Sequence, residues 1–264
     1  MISQRQIKSK SKKEITRDSI ISFLDKTLRT SEISDSSING LQVEGAQEIT
    51  KIGLAVDACL ETYKLAQKNG CQMVIVHHGM IWDGIKSIRG PIFKQIEFLI
   101  NNKINLYGSH LPLDLHPTLG NNIHLAKLVG LKNLKPFGVY KNSHISFEGT
   151  FTKAVTIESI SKLLKDKLGG KVFALPFGPK KIHTAAVLSG RGSSVVAEAV
   201  EKKVDLFITG EVIHESYHAA LEGGINVICG GHYHTEKSGV QALGNLLSEK
   251  FGIESVFLDV PTQM

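Results

Sequence analysis

The sequence predicts an α/β fold of two similar halves facing each other across a shared cleft, and three observations predict it. Short apolar runs alternate with helical segments from Ile52 onward, the same alternation starts again near residue 185, and polar residues stand at corresponding run ends in both stretches. With 264 residues, 42% of them hydrophobic, the chain can bury a sizeable core.

The first segment, MISQRQIKSKSKKE, is polar and basic and is expected to be a flexible tail over residues 1–14. It has no apolar stretch behind it of the kind a signal peptide carries. Arg5, Lys8, Lys10, Lys12 and Lys13 lie in this tail and supply much of the formal net charge of +6. Elsewhere Lys and Glu are mixed and no stripe of basic and aromatic residues appears, so nucleic acid is not the expected partner. No run approaches the roughly 18 apolar residues of a membrane helix. A cytoplasmic protein without a membrane span is expected. Cys59, Cys71 and Cys229 are odd in number and form no C-x-x-C pair, so they are expected as reduced, mostly buried thiols.

Residues 15–29 place Ile20, Ile21, Phe23, Leu24 and Leu28 at helical spacing, and a loop rich in Ser, Asn and Gly follows. The first alternation then runs GLAV, ETYKLAQKNG, MVIV, a helix near 91–102 and INLYG. Residues 147–152 read as a strand, 156–168 as a helix and KVFAL as a strand. The second alternation runs AAVL, a helix through VVAEAVEKK, LFIT, a helix through HESYHAALEGG, INVICGG and a helix near 236–250. The expected division is a first half over 15–130 and a second over 131–264 within one compact unit.

Laid side by side, GLAVDACLETYKLAQKNGCQMVIVHH and TAAVLSGRGSSVVAEAVEKKVDLFITGE set His78 against Glu211. INLYGSHLPLD and INVICGGHYHTE set His110 against His232 and Asp114 against Glu236, each pair with the spacing H-x-x-x-D/E. Duplication accounts for this, and so does the ordinary similarity of βαβ units. Under either reading these residues fall at the carboxyl ends of strands, where open α/β sheets bind ligands.

His77 and His78 follow the apolar run MVIV. Neighbours on a strand point to opposite faces, so both reach one place only where the strand ends and the backbone turns, which Gly79 permits. Asp114 lies in GSHLPLDLHP, a segment expected to be irregular. His232 and Glu236 would share one face of a helical turn or a loop-to-helix junction. Three imidazoles and two carboxylates suit Zn²⁺, Fe²⁺, Mn²⁺ or Co²⁺ with open positions left. Two such ions about 3.5–4 Å apart are an arrangement for metal-assisted hydrolysis. Taken pair by pair, the same residues also read as capping or core polar groups. Glu211, His218 and His110 are candidates for proton transfer or for orienting a ligand. His234 reads as packing or substrate contact; His116, His124, His144, His183 and His214 read as surface or packing.

With NGLQVEG (39–45), VIVHHGMIWDG (74–84), INLYGSHLPLDLHPTLGNN (104–122) and GGHYHTEKSGV (230–240), the chain resembles the Nif-three-like family, also labelled GTP cyclohydrolase 1 type 2 homologues, in its short form without an inserted domain. The resemblance implies a toroidal homohexamer of two stacked trimers and a dinuclear metal centre in each subunit. It implies His77, His78, Asp114, His232 and Glu236 as metal ligands, with Glu236 bridging, and Asn39 and Gln42 as residues that shape the site. His234 stands where that family usually has a small residue. The expected activity is metal-dependent hydrolysis of a small molecule, with a nucleotide or purine ring implied by the family label alone. The alternatives are a metal-binding or iron-delivery protein without turnover, and a toroidal scaffold for protein or DNA. No glycine-rich G-x-x-x-x-G-K-[ST] phosphate loop is present.

Overall fold

The computed structural model describes residues 14–141 and 143–262, so the expected tail lies, but for Glu14, outside the described residues. The chain begins with α1 (Arg17–Leu28), β1 (Gly40–Val43), β2 (Lys51–Asp57), α2 (Leu60–Lys68) and β3 (Met73–His78). It continues through α3 (Pro91–Asn101), β4 (Asn105–Gly108), α4 (Leu111–Asp114) and α5 (Asn121–Leu128). After these come β5 (Lys132–Tyr140), β6 (Ser143–Val155), α6 (Ile157–Leu168), β7 (Phe173–Pro176) and β8 (Ile182–Arg191). The last elements are α7 (Val196–Glu201), β9 (Leu206–Glu211), α8 (Glu215–Gly223), β10 (Asn226–Cys229), α9 (His232–Thr235), α10 (Lys237–Phe251) and β11 (Glu254–Phe257).

Local chemistry sets the helix ends. Thr16 caps α1 by accepting from the Ser19 N–H, and Arg29 closes it in the left-handed region. Thr156 and Ser159 form a reciprocal capping box on α6, and Gly169 ends that helix at φ 82°. The segment around Asp114, expected to be irregular, is one helical turn. Its Pro112 sits in the first turn, where a missing N–H costs no hydrogen bond.

Two sheets form. The first has the order β1-β4-β3-β2-β11, and the second β5-β6-β8-β9-β10-β7. β2, β3, β4 and β11 run parallel, as do β8, β9 and β10, and each sheet carries an antiparallel strand, β1 or β7, beside its last parallel strand. Alternation along the strands fills both faces. Ile52, Leu54, Met73 and Ile75 pack with Ile20, Leu24 and Leu28 of α1 and Val240, Leu243 and Leu247 of α10. Ala55, Val74 and Val76 pack on the other face with Tyr63 of α2 and Leu99 of α3. The second sheet is covered likewise, Val187, Leu206 and Ile208 against α5 and α6, Ala186, Phe207 and Val227 against α7 and α8. Strands covered on both faces are apolar throughout, which is why MVIV and LFIT read as runs.

The halves also exchange parts. α5 packs on the second sheet, while α10 covers the first and β11 pairs with β2 in register Glu254↔Lys51. The expected division at residue 131 follows the order of motifs along the chain; in space, each half is completed by a piece from the other stretch.

Candidate metal centre

The carboxyl ends of both parallel strand sets open onto one cleft of about 590 Å³. β3 runs through to His78, so the turn comes after the histidine pair. His77 leans toward β4, its Nδ1 3.0 Å from the Ser109 carbonyl, and His78 leans toward β2, its Nδ1 2.8 Å from Asp57 Oδ1. The two rings are 4.7 Å apart. Gly79 does not adopt the left-handed backbone; a Cβ there would meet the amide end of the Gln42 side chain, which would have to shift. Gln42 Oε1 in turn accepts the Met80 N–H at 2.7 Å, fixing the chain just past the pair.

His232 begins α9 and Glu236 joins α9 to α10, so the four-residue spacing brings His232 Nε2 to 3.2 Å from Glu236 Oε2. His78 Nε2 is 3.3 Å from the same oxygen. The other oxygen, Oε1, is 3.5 Å from His77 Nε2, which is also 3.5 Å from Asp114 Oδ2. Two groups result that could each hold a metal ion, His78 with His232 and Glu236, and His77 with Asp114 and Glu236. A third, His77 with His78 and His110, lies alongside. All five residues expected as ligands are therefore brought together.

The donor set fits a cation. His77 Nε2 and Glu236 Oε2 are buried and have no hydrogen-bond partner. Buried polar atoms are nearly always satisfied, so one orphan in each of the two groups points to a missing partner in each. Each ligand imidazole has an acceptor at Nδ1, namely Ser109 O, Asp57 and, 3.0 Å from His232, Glu211. That arrangement favours the tautomer with a free Nε2 lone pair directed at the shared space. Asp114 is held by Asn121 Nδ2 at 3.0 Å and by the Ser189 hydroxyl at 3.2 Å.

Electrostatics agree. Burial alone would lower the pKa of His77, but the Asp114 and Glu236 carboxylates push it up to about 10. Burial opposes protonation of His232 too, and Glu236 and Glu211 raise it to about 9. Burial would raise Glu236, yet the charges of His78 and His77 hold it well below the ordinary carboxylate range. The carboxylates thus favour positive charge in the space between the ligands.

Of the three candidates for proton transfer, Glu211 is engaged with His232, and His110 lines the cleft with its Nδ1 3.0 Å from both oxygens of Asp35. His218 is exposed on α8 and does not line the cleft, because α8 starts after the chain has left the end of β9. His234 turns to the other side of α9, with Nδ1 3.1 Å from the Leu168 carbonyl. Asn39 accepts the His110 N–H at 2.8 Å and donates to Asp35. Sequence reasoning missed Asp35 and Asp57. Asp57 carried a signal, since it ends the apolar run before it and pairs in register with His78.

Fold and site together define an α/β protein of two facing halves with a histidine and carboxylate cluster that could hold metal. The chain belongs to the Duf34/NIF3 (NGG1p interacting factor 3) family, whose model matches residues 15–263. A protein of Archaeoglobus fulgidus named GTP cyclohydrolase 1 type 2 homolog is 44% identical over 245 residues, covering 93% of this chain and 98% of that protein. One of the same name from Pyrococcus horikoshii is 46% identical over 247 residues, with the same coverage. The solved structure of TTHA1606 from Thermus thermophilus matches with a TM-score of 0.86 at 36% identity, covering 95% of this chain and 100% of that one.

Proposed function

We propose that the protein is a cytoplasmic hydrolase of a small molecule, dependent on two divalent metal ions. The observation that carries this reading is the division of the cluster into two three-donor groups that share Glu236, one oxygen facing each. Bound divalent ions would supply Lewis acidity for attack of water on an electrophilic carbon or phosphorus. The protein's own contribution is orientation and proton handling. Ser109, Asp57 and Glu211 fix the ligand imidazoles, Asn121 and Ser189 fix Asp114, and Asp35 turns His110 so that its Nε2 faces the cleft. His110 and Glu211 are placed to hold or pass a proton. The names of the relatives support a nucleotide or purine substrate.

Self-association into a hexamer is part of the proposal. α3 exposes Phe93 and Ile100, the loop before it exposes Ile85 and Ile88, and such an apolar face is best covered by a second copy. Light scattering should then give the mass of six chains of 28.8 kDa; a monomer at micromolar concentration would refute it.

The deciding experiment is elemental analysis of protein purified without added metal, followed by a hydrolysis screen of the metal-loaded form over nucleotides and other phosphate or amide substrates. Turnover that disappears on chelation and returns with metal supports the hydrolase. Metal that loads and transfers to an acceptor, with no turnover over the panel, replaces it with delivery.

A further inference from the structure

We propose that Arg191 anchors an oxyanion on the substrate, a phosphate or carboxylate carried by a flat apolar body, at the second-half wall of the cleft. The inference rests on reading the cleft as the hydrolytic site and names what that site takes.

Among the described residues, Arg191 is the one lysine or arginine that lines the cleft. Its side chain is exposed at the last position of β8. The acid opposite it in the β8–β9 ladder, Glu211, is turned to His232 Nδ1 at 3.0 Å. Among the described residues, therefore, no ion pair occupies the guanidinium. The backbone that presents it is pinned. The Ser189 N–H donates to Asn122 Oδ1 at 2.7 Å, the Gly190 N–H to Thr235 Oγ1 at 3.0 Å, and the Gly192 N–H to the Glu211 carbonyl at 3.0 Å. A free cation on a fixed stretch of backbone, next to the candidate metal ligands, is placed to recognise a ligand.

The charge of the cleft decides what kind. Asp57, Asp114, Glu211 and Glu236 all line it. Two divalent ions with neutral imidazole ligands would balance those four carboxylates, and the nearby Asp35 is engaged with His110, so no carboxylate of the wall is turned to the Arg191 guanidinium. A planar guanidinium presents a fork of donors that matches the two oxygens of a carboxylate or phosphate. Trp82 from the first half and Tyr140 from the second also line the cleft and are 38% and 37% exposed, so ring surface is available in the same cleft as the cation. The volume of about 590 Å³ suits a small molecule carrying both features.

The test uses zinc-loaded protein and titration calorimetry with phenylphosphonate, benzoate and uncharged benzyl alcohol. Wild type, Arg191→Gln and Arg191→Lys are compared, and zinc content is measured on each sample. Arg191→Gln should weaken the better-bound anion about 10–100-fold, with benzyl alcohol and zinc content unchanged, and Arg191→Lys should recover part of the loss. The anion that binds better assigns phosphate or carboxylate. Wild-type affinity for both anions in Arg191→Gln at equal zinc content would overturn the anchor alone, as would a wild type that binds neither anion at millimolar concentration. A wild type that takes up no zinc, iron or manganese removes the metal reading instead. The same titrations on metal-free protein then decide the anchor, which stands if anion binding still depends on Arg191 and falls if it does not.

Discussion

The two halves build the same strand pattern and equip it differently. β3 and β9 are both six residues long and occupy matching places, yet β3 ends in an imidazole that faces the cluster and β9 in a carboxylate that stands behind one. After β4 in the first half and β10 in the second, each half supplies a histidine and, four residues on, an acid. In the first half His110 is turned by Asp35 and the acid is Asp114; in the second His232 is turned by Glu211 and the acid is Glu236. One methylene separates the acids. Asp114 belongs to one metal-capable group, whereas the longer Glu236 belongs to two. The shared centre thus depends on an asymmetry between otherwise similar halves.

Removing each acid tests that asymmetry most strongly. Glu236→Ala should empty both groups, taking metal from about two ions per chain to near none, while Asp114→Ala should retain about one. Elemental analysis of the two variants reads this directly, and equal loss in both would show that Glu236 does not join the groups. A smaller effect is expected where the first two parallel strands end. Cys59 is the N-cap residue of α2, two residues beyond β2, whereas Gly190 lies within β8 at its cleft end, next to Arg191. Cys59 has extended backbone at φ −146°, but Gly190 has φ 65° and a Cβ there would lie 2.1 Å from Glu236 Oε1. Gly190→Ala should cost about 1–3 kcal/mol and lower metal affinity, and Cys59→Ala less than about 1 kcal/mol. Denaturant unfolding of the two variants separates them, and a harmless Gly190→Ala would mean that Glu236 can move.

What the sequence made legible follows from where each residue sits. His77, His78 and His232 follow apolar runs, so the break in hydropathy marks them as strand-end groups, and the spacing of Asp114 and Glu236 from the histidines marks the acids. Asp35 had no such mark. It lies in a loop of Ser, Asn and Gly, and its meaning comes from His110, 75 residues away. β5 was hidden because KNLKPFGVY reads as a loop; Pro136 is tolerated there because β5 is the edge of its sheet. β11 was hidden because four residues after Gly252 carry too little pattern to say that they return to the first sheet.

The carboxylates behind the imidazoles offer a finer comparison. Asp57 comes from the first half and Glu211 from the second, yet they orient His78 and His232, which belong to the same metal-capable group. Asp57→Asn and Glu211→Gln should therefore each weaken one of two binding events by about 10–100-fold and leave the other alone. Competition with a chromophoric chelator resolves the two events. If one variant weakened the first event and the other the second, the assignment of groups would fail.

The last effect expected is a pH trend, and its sign differs between metal-free and loaded protein. His77 and His232 are raised to about 10 and about 9 in the metal-free fold, above the roughly 6.5 of an unfolded imidazole. Their protonation stabilises the metal-free protein fully below about pH 6.5, and that contribution is lost as pH rises toward 10. Glu236 does not alter this window, because a depressed carboxylate loses its contribution only in acid. Metal displaces the same protons, so affinity rises with pH over the same interval. The difference in Tm between loaded and metal-free protein should consequently widen from about pH 6.5 to about 9.5 in scanning calorimetry. Parallel curves would mean that the imidazoles are already neutral without metal, and the orphaned His77 Nε2 would then need another partner.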